Sequence, residues 1–244
     1  TSLPPSFTLL LPKLLPPRLP SALVVRPHLM QQLDAALDSK LTLLVAPAGF
    51  GKTTVVVQWM NEHRTQGRLG PVAWVSLDNG DNDLFRFWRS IITAFQTFQK
   101  DLGQTALAFL AQALHPPFAS PSMETALTFL LNDIAQHVQK GLLVLDDYHA
   151  IKEPTVHETL TFFLDHLPPT ISVLVMARAE PLHLPLLRWR ARGDISELHA
   201  TALRFSPEET AAFVRQTFPA QLSDAALKQI DTLAKAGGGA SASV

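Results

Sequence analysis

Short apolar runs alternate along the chain with longer stretches in which apolar residues recur at helical spacing. Five runs are rich in aliphatic and β-branched residues: Leu41 to Ala46, Val72 to Leu77, Gly141 to Leu145, Ile171 to Met176 and, more weakly, Ile195 to His199. Runs that are apolar throughout are typical of strands covered on both faces of a parallel sheet. The pattern therefore predicts an α/β fold with a five-stranded parallel sheet and helices on both faces, a three-layer arrangement.

The stretches between these runs predict helices. From 83 to 98, apolar side chains recur at the i, i+3, i+4 and i+7 spacing of an amphipathic helix. We interpret this face as core that packs against the sheet, in preference to a surface that stacks on a ligand. Further helices are predicted at 53–64, 105–113, 122–140, 155–167, 206–216 and 223–235.

Changes in composition divide the chain into four parts. Residues 1–20 contain six prolines, which remove backbone donors and predict an irregular lead-in. Residues 21–202 carry the five strands and form the predicted α/β core. Residues 203–236 follow the last strand and predict a helical extension, and residues 237–244, which consist mainly of Gly, Ala and Ser, predict a flexible tail.

Charge and cysteine content exclude several classes of protein. The 244 residues carry a formal net charge of -1 and include no cysteine, so a disulfide framework, a cysteine zinc site and a thiol nucleophile are excluded. A near-neutral chain has no general attraction to nucleic acid. Its apolar runs are all shorter than the roughly 18 residues of a membrane helix. We therefore expect a cytoplasmic protein without membrane contact.

A glycine-rich loop follows the first predicted strand and leads directly into a predicted helix. It extends from Ala46 to Thr54 with the sequence APAGFGKTT. In this context glycine lets backbone N–H groups turn towards a phosphate, and the helix directs its unpaired N–H groups at the same anion. The usual pattern begins with glycine where this chain has Ala46. The residues assigned to phosphate binding are Ala48, Gly49, Phe50, Gly51, Lys52, Thr53 and Thr54.

Individual side chains of this loop have distinct predicted roles. Lys52 is expected to reach the β and γ phosphates as a point charge, and Thr53 to place its hydroxyl on Mg²⁺. Thr54 and the backbone of Gly51 are expected to hold the α and β phosphates. The alternative is a glycine-rich turn with an incidental Lys-Thr pair, which the strand and helix on either side make less attractive.

Two adjacent carboxylates end the third predicted strand, in the sequence Leu142-Leu143-Val144-Leu145-Asp146-Asp147. Taken alone, this pattern also fits a solvated strand end. Together with the phosphate loop it predicts that Asp146 orients the magnesium shell and that Asp147 acts as general base on the attacking water.

Two arginines are weaker candidates. Arg178 follows the fourth predicted strand at the edge where ligands bind in open α/β sheets, so it is either a sensor of the γ phosphate or a surface arginine. Arg26 precedes the first helix and is placed beside the base and ribose, with the same alternative. The arginines at 188, 190 and 192 are interpreted as a solvated face or a contact beside the nucleotide, in preference to a DNA-binding surface. His149 is interpreted as a local polar contact in preference to a metal ligand. The Asn-Lys-x-Asp segment with which GTPases read guanine is not present in the sequence, which favours ATP or ADP.

Several ordered segments together resemble a known family. They are the phosphate loop, Trp74 to Asp78 with Asp81 to Asp83 and Phe87-Trp88, Leu145 to His149, and Leu203 to Ser206. These segments, within residues 14 to 236, are similar to the ATPase domain of the MalT-like, large LuxR-family transcriptional regulators, which belong to the STAND class of signal-transduction ATPases.

The resemblance implies a nucleotide switch. Such a domain rests with ADP, takes up ATP with Mg²⁺ and self-associates when a distant sensor binds an inducer, and is reset by slow hydrolysis. DNA would be contacted through a C-terminal domain that lies outside this sequence. The alternative is an interaction module that binds ADP or ATP without turnover, in which Asp147 is structural. A small-molecule kinase is less favoured, because no arginine-rich lid segment is found in the sequence.

Overall fold

The computed structural model describes residues 9–20, 23–36, 38–112 and 122–217, together with residues 229 and 232. The tail predicted at 237–244 lies outside the described residues. The helix predicted at 223–235 also lies outside them, except for residues 229 and 232. The strands are β1 Leu41–Val45, β2 Val72–Ser76, β3 Gly141–Asp146, β4 Ile171–Ala177 and β5 Ile195–His199.

All five strands are parallel and form one sheet in the order β2-β3-β4-β1-β5. The predicted α/β fold with a five-stranded parallel sheet is therefore confirmed, and the observed strand bounds lie within one residue of the predicted runs. In this order β1 lies next to β4, and β3 lies on the other side of β4. The carboxyl ends of β1, β3 and β4 thus meet at the middle of one sheet edge, where open α/β folds bind ligands.

Nine helices accompany the sheet within the described ranges. They are α1 Pro27–Ala36, α2 Lys52–Thr65, α3 Leu84–Phe95, α4 Gln104–Gln112, α5 Met123–His137, α6 Pro154–Asp165, α7 Leu186–Arg192, α8 Ala200–Leu203 and α9 Pro207–Thr217. Single 3₁₀ turns occur at Leu11–Leu14, Asn79–Asn82 and Tyr148–Ala150. The helix predicted to end at 98 ends at Phe95, where the Thr97 hydroxyl donates to the carbonyls of Ala94 and Val72.

Alternate side chains of each strand point to opposite faces of the sheet and build two separate cores. Leu43 of β1 packs with α3, α5 and α6, whereas Leu44 packs with α1 and α2. Burial of both faces explains why β1 to β4 are largely apolar, whereas the edge strand β5 is mostly half-buried and contains three polar residues. Among the described residues, no helix is both long enough and apolar enough to span a bilayer.

The proline-rich lead-in is attached to the core. Leu14 in the 3₁₀ turn joins the buried cluster beneath α3. The Lys13 ammonium contacts the fully buried Asp81 carboxylate and lies 2.9 Å from Asp78. The sequence predicted an irregular segment here, and the structure adds one ordered turn that anchors it next to the edge strand β2.

Candidate functional site

The loop between β1 and α2 has the backbone geometry of an anion cradle. Gly49 and Gly51 adopt φ values of 80° and 75°, in the left-handed region that an L-residue enters only with strain. Gly51 precedes α2 and supplies no side-chain cap to it. Within the described part of the chain, the backbone amides of Gly49, Gly51, Lys52 and Thr53 make no hydrogen bond. These donors fit a phosphate group, which helix N-termini bind through such amides.

Lys52 lies folded against the same loop. Its side chain is buried, and Nζ donates to the carbonyl oxygens of Ala46 at 2.7 Å and Pro47 at 3.1 Å. Burial lowers the pKa of Lys52, while the neighbouring carboxylates of Asp147 and Asp146 raise it and Arg178 lowers it. An ammonium has three donors, so one remains for a phosphate oxygen even in this position.

The two motifs predicted from the sequence meet at Thr53 and Asp146. The Thr53 hydroxyl Oγ1 lies 3.0 Å from Asp146 Oδ2 and 3.2 Å from Oδ1, and the backbone amide of Asp147 donates to Oδ1 at 2.9 Å. Burial and the Asp147 charge raise the pKa of Asp146 to about 6, against the opposing effects of Thr53 and Lys52. Mg²⁺ prefers oxygen ligands such as hydroxyls and carboxylates. A bound cation would also stabilise the ionised form of the buried Asp146 carboxylate. The site therefore fits the ion.

Asp147 and Arg178 complete the same sheet edge. Asp147 adopts φ 56° and ψ 35° and begins the 3₁₀ turn Tyr148–Ala150, and its side chain is about half exposed at 47%. Arg178 follows β4 and is exposed, and its charge acts on both Lys52 and His149. The structure thus brings Lys52, Thr53, Asp146, Asp147 and Arg178 to one place, although they are up to 126 positions apart in sequence.

A comparison with protein families identifies this arrangement. Residues 22–176 match the sequence model of the AAA ATPase domain. The chain belongs to this family. It is a nucleotide-binding ATPase domain, and the match extends from before β1 to residue 176 in β4, so it includes the phosphate loop and the two carboxylates after β3 and ends two residues before Arg178.

Curated relatives agree with the resemblance found in the sequence. The chain is 34% identical over 201 residues to the HTH-type transcriptional regulator MalT of Vibrio parahaemolyticus, covering 82% of this chain and 21% of the relative. It is 34% identical over 203 residues to the regulator of the same name from Klebsiella pneumoniae, again covering 82% and 21%. The chain therefore spans about a fifth of the length of these relatives, and the resemblance to MalT-like P-loop ATPases is confirmed.

Solved structures show the same fold at low sequence identity. A STAND protein with a tetratricopeptide repeat sensor from Pyrococcus horikoshii superposes with a TM-score of 0.58 at 14% identity, over 91% of this chain and 29% of that chain. Cdc6p from Pyrobaculum aerophilum superposes with a TM-score of 0.54 at 15% identity, over 93% and 58%.

The remaining loop residues lie around the cradle. Ala48 is exposed, and Phe50 is half-buried and packs against the cluster formed by α1 and α2. Thr54 is half-buried in the first turn of α2. Their contacts with phosphate stay predictions.

Arg26 lies in a different environment from the one expected for a nucleotide contact. Its buried guanidinium donates to the carbonyl oxygens of Leu203 at 2.8 Å and Arg204 at 2.5 Å, and pairs with Glu209 at 3.0 Å. It also lies 4.8 Å from the ring centroid of Phe205. Arg26 thus joins the segment before α1 to the start of the helical extension, and its contact with the base or ribose stays a prediction.

The arginines of α7 are paired with carboxylates. Arg188 lies 2.5 Å from Asp165, and Arg190 lies 2.7 Å from Glu197 and 2.6 Å from Glu180. Arg192 is 4.0 Å from Asp165. Since these charges are balanced locally, the cluster is a network of ion pairs on the helix surface.

His149 lies next to Asp147 at the edge of the site; from the sequence it was interpreted as a local polar contact. Its Nδ1 lies 3.6 Å from Asp147 Oδ1. The adjacency of His149 to the two carboxylates was visible in the sequence, but its direction was not, because that depends on the left-handed backbone at Asp147.

Proposed function

We propose that this AAA ATPase domain binds ATP and ADP with Mg²⁺, hydrolyses ATP slowly and acts as the nucleotide switch of a longer MalT-like transcriptional regulator. The observation that carries the proposal is the contact between Thr53 and Asp146. It joins the phosphate loop to the end of β3, so one ligand can engage both.

The residues of the site would have separate roles in binding and hydrolysis. The amides around Gly49 and Gly51, with Lys52, bind the phosphates, and Thr53 with Asp146 holds the metal. Bound Mg²⁺ supplies positive charge to the phosphate oxygens. Asp147 accepts the proton of the attacking water, and Arg178 senses the γ phosphate.

Slow turnover is expected because a switch has to keep its triphosphate for as long as the signal lasts. The relatives are named as HTH-type regulators, so DNA contact would belong to another part of the longer protein. Nucleotide-dependent self-association of this domain is part of the proposal.

A second function is favoured by one observation. The left-handed backbone of Asp147 starts the turn at Tyr148–Ala150, which fits a structural role for this residue. In that case the domain would bind nucleotide as an interaction module without turnover.

Two measurements test the proposal. Denaturing the purified chain and separating released nucleotide by chromatography should yield ADP or ATP. Single-turnover hydrolysis should then be measured for the wild type and Asp147→Ala. Loss of a general base is expected to slow hydrolysis by about 10²- to 10⁴-fold while the Kd for ATP is kept.

Asp38→Ala is the matched control, because Asp38 is an exposed carboxylate in the turn before β1, at the opposite edge of the sheet. Tight nucleotide binding without hydrolysis by the wild type would favour the interaction module. Steady-state phosphate release at the rates of metabolic enzymes would contradict the switch.

A further inference from the structure

The turn after β3 directs a histidine back towards the carboxylate beside the metal site. Asp147 is the one non-glycine residue with positive φ in the described part of the chain. Because of this left-handed residue, the next turn folds over it, and the His149 ring comes within 3.6 Å of the Asp147 carboxylate although the two residues are separated by Tyr148.

His149 Nδ1 has no hydrogen-bond partner among the described residues. The atom is enclosed by protein. Most buried polar atoms in proteins are hydrogen-bonded, so an exception at a functional site calls for an explanation. A separation of 3.6 Å is slightly too long for a hydrogen bond, and such bonds at catalytic sites often tighten only when substrate is bound.

The surrounding charges are consistent with a neutral ring that carries one N–H. Burial lowers the pKa of His149, and the charges of Arg178 and Lys52 lower it further, whereas Asp147 raises it. A neutral imidazole donates from one nitrogen only. The nitrogen that faces the carboxylate is Nδ1, so the tautomer that bonds to Asp147 carries its proton there.

We propose that His149 is a positioning residue for ATP hydrolysis: its Nδ1–H donates to Asp147 and holds that carboxylate in the orientation from which it accepts the proton of the attacking water. The inference rests on the proposed function, since it assigns Asp147 as the base. His149 acts through Asp147, in the way that residues behind a catalytic group orient it.

Three variants of the full chain test the assignment. His149→Ala should lower the single-turnover rate about 10- to 100-fold, the range found when such supporting residues are removed, and leave the Kd for ATP unchanged. His149→Asn should restore most of the rate, because its amide nitrogen occupies the place of Nδ1. His166→Ala is the control, since His166 is an exposed histidine at the end of α6, where its ring bonds to the carbonyl of Phe162 away from the site.

A double-mutant cycle separates a role through Asp147 from an independent one. In the Asp147→Ala background, removal of His149 should have no further effect on the rate. Equal effects of His149→Ala in both backgrounds, an unchanged rate in the single variant, or loss of ATP binding would each overturn the proposal.

Nitrogen-15 NMR of the imidazole gives a readout that does not require turnover. The expected result is an Nδ1–H tautomer in the wild type whose signal shifts in Asp147→Ala. An Nε2–H tautomer that is unaffected by this substitution would overturn the proposal. If the wild type does not hydrolyse ATP, the turnover part of the proposed function fails, and the NMR result alone decides whether His149 holds Asp147.

Discussion

Three residues with left-handed backbone determine the geometry of the site. Gly49 and Gly51 take this conformation without a Cβ to oppose it, which lets the loop amides converge. Asp147 takes it at a cost of about 1–2 kcal/mol, which aspartate tolerates better than most residues. The cost is offset by the burial of Tyr148, which the turn places in the core.

A buried histidine behind the site makes stability depend on pH. His157 in α6 is 3% exposed, and its Nδ1 lies 2.6 Å from the Tyr148 hydroxyl. Burial raises the pKa of Tyr148, so the phenol keeps its proton and donates it. His157 Nδ1 is then the acceptor. Burial lowers the pKa of His157 from 6.5, and the stacked ring of His183 lowers it further, whereas Glu153 raises it.

The sign of the effect follows from this lowered pKa. The folded state favours the neutral ring, so its contribution is complete above pH 6.5 and is lost as the pH falls through the folded pKa. We expect the free energy of unfolding to fall by up to about 1.4 kcal/mol per pH unit from this one group, measured by urea denaturation between pH 7 and pH 5.

His157→Asn should flatten this dependence, because the amide oxygen still accepts from Tyr148 and does not titrate. His166→Asn, at an exposed position, should keep the slope of the wild type. An identical pH slope in His157→Asn would show that other groups cause it.

At the scale of elements, one arginine joins the helical extension to the core. Arg26 satisfies the carbonyls of Leu203 and Arg204 at the end of α8 and pairs with Glu209 in the first turn of α9. Glu209 in turn accepts from the backbone amide of Ser206, which caps that helix. One guanidinium therefore fixes the ends of two helices.

Removing Arg26 should loosen the extension and leave the sheet intact. Arg26→Ala leaves the carbonyls of Leu203 and Arg204 without this donor. It also removes one of the partners of Glu209, which keeps the Ser206 amide and His28. We expect a local cost of about 2–4 kcal/mol. We expect hydrogen exchange of the α9 amides to become at least about tenfold faster, with β1 and β4 unchanged. Arg190→Ala is the control, since its ion pairs with Glu180 and Glu197 are on the surface, where solvent weakens such pairs. Unchanged exchange in α9 would contradict this role of Arg26.

At the scale of the whole molecule, the features predicted from the sequence are those with a local cause. The strands β1 to β4 were visible because burial on both faces makes them largely apolar, whereas the half-buried β5 gave a weaker signal. The phosphate loop was visible because its glycines stand between a strand and a helix. The strand order β2-β3-β4-β1-β5 and the pairing of Arg26 with Glu209 were not predicted from the sequence, since both depend on contacts between residues far apart in the chain. The direction of the His149 side chain was not predictable for a similar reason, because it depends on one backbone angle at Asp147.

Nucleotide binding should stabilise the whole domain, because the site joins β1 and β3 across β4. A ligand that binds only the folded state adds about 2.7 kcal/mol at a concentration 100 times its Kd. For a domain of this size we expect ADP with Mg²⁺ to raise the Tm by about 5–10 °C in a thermal melt. Adenosine, which lacks phosphates, should leave it unchanged.

Lys52→Ala decides whether this stabilisation acts through the phosphate loop. The buried ammonium contacts only two loop carbonyls within the described residues, so its removal should change the Tm of the nucleotide-free protein little. The loss of a charged hydrogen bond to phosphate, about 1.5–3 kcal/mol, should remove most of the shift caused by ADP. Lys40→Ala is the control, because Lys40 also donates to a carbonyl, that of Asp165, at the opposite sheet edge. A full ADP shift in Lys52→Ala would place the nucleotide elsewhere on the molecule.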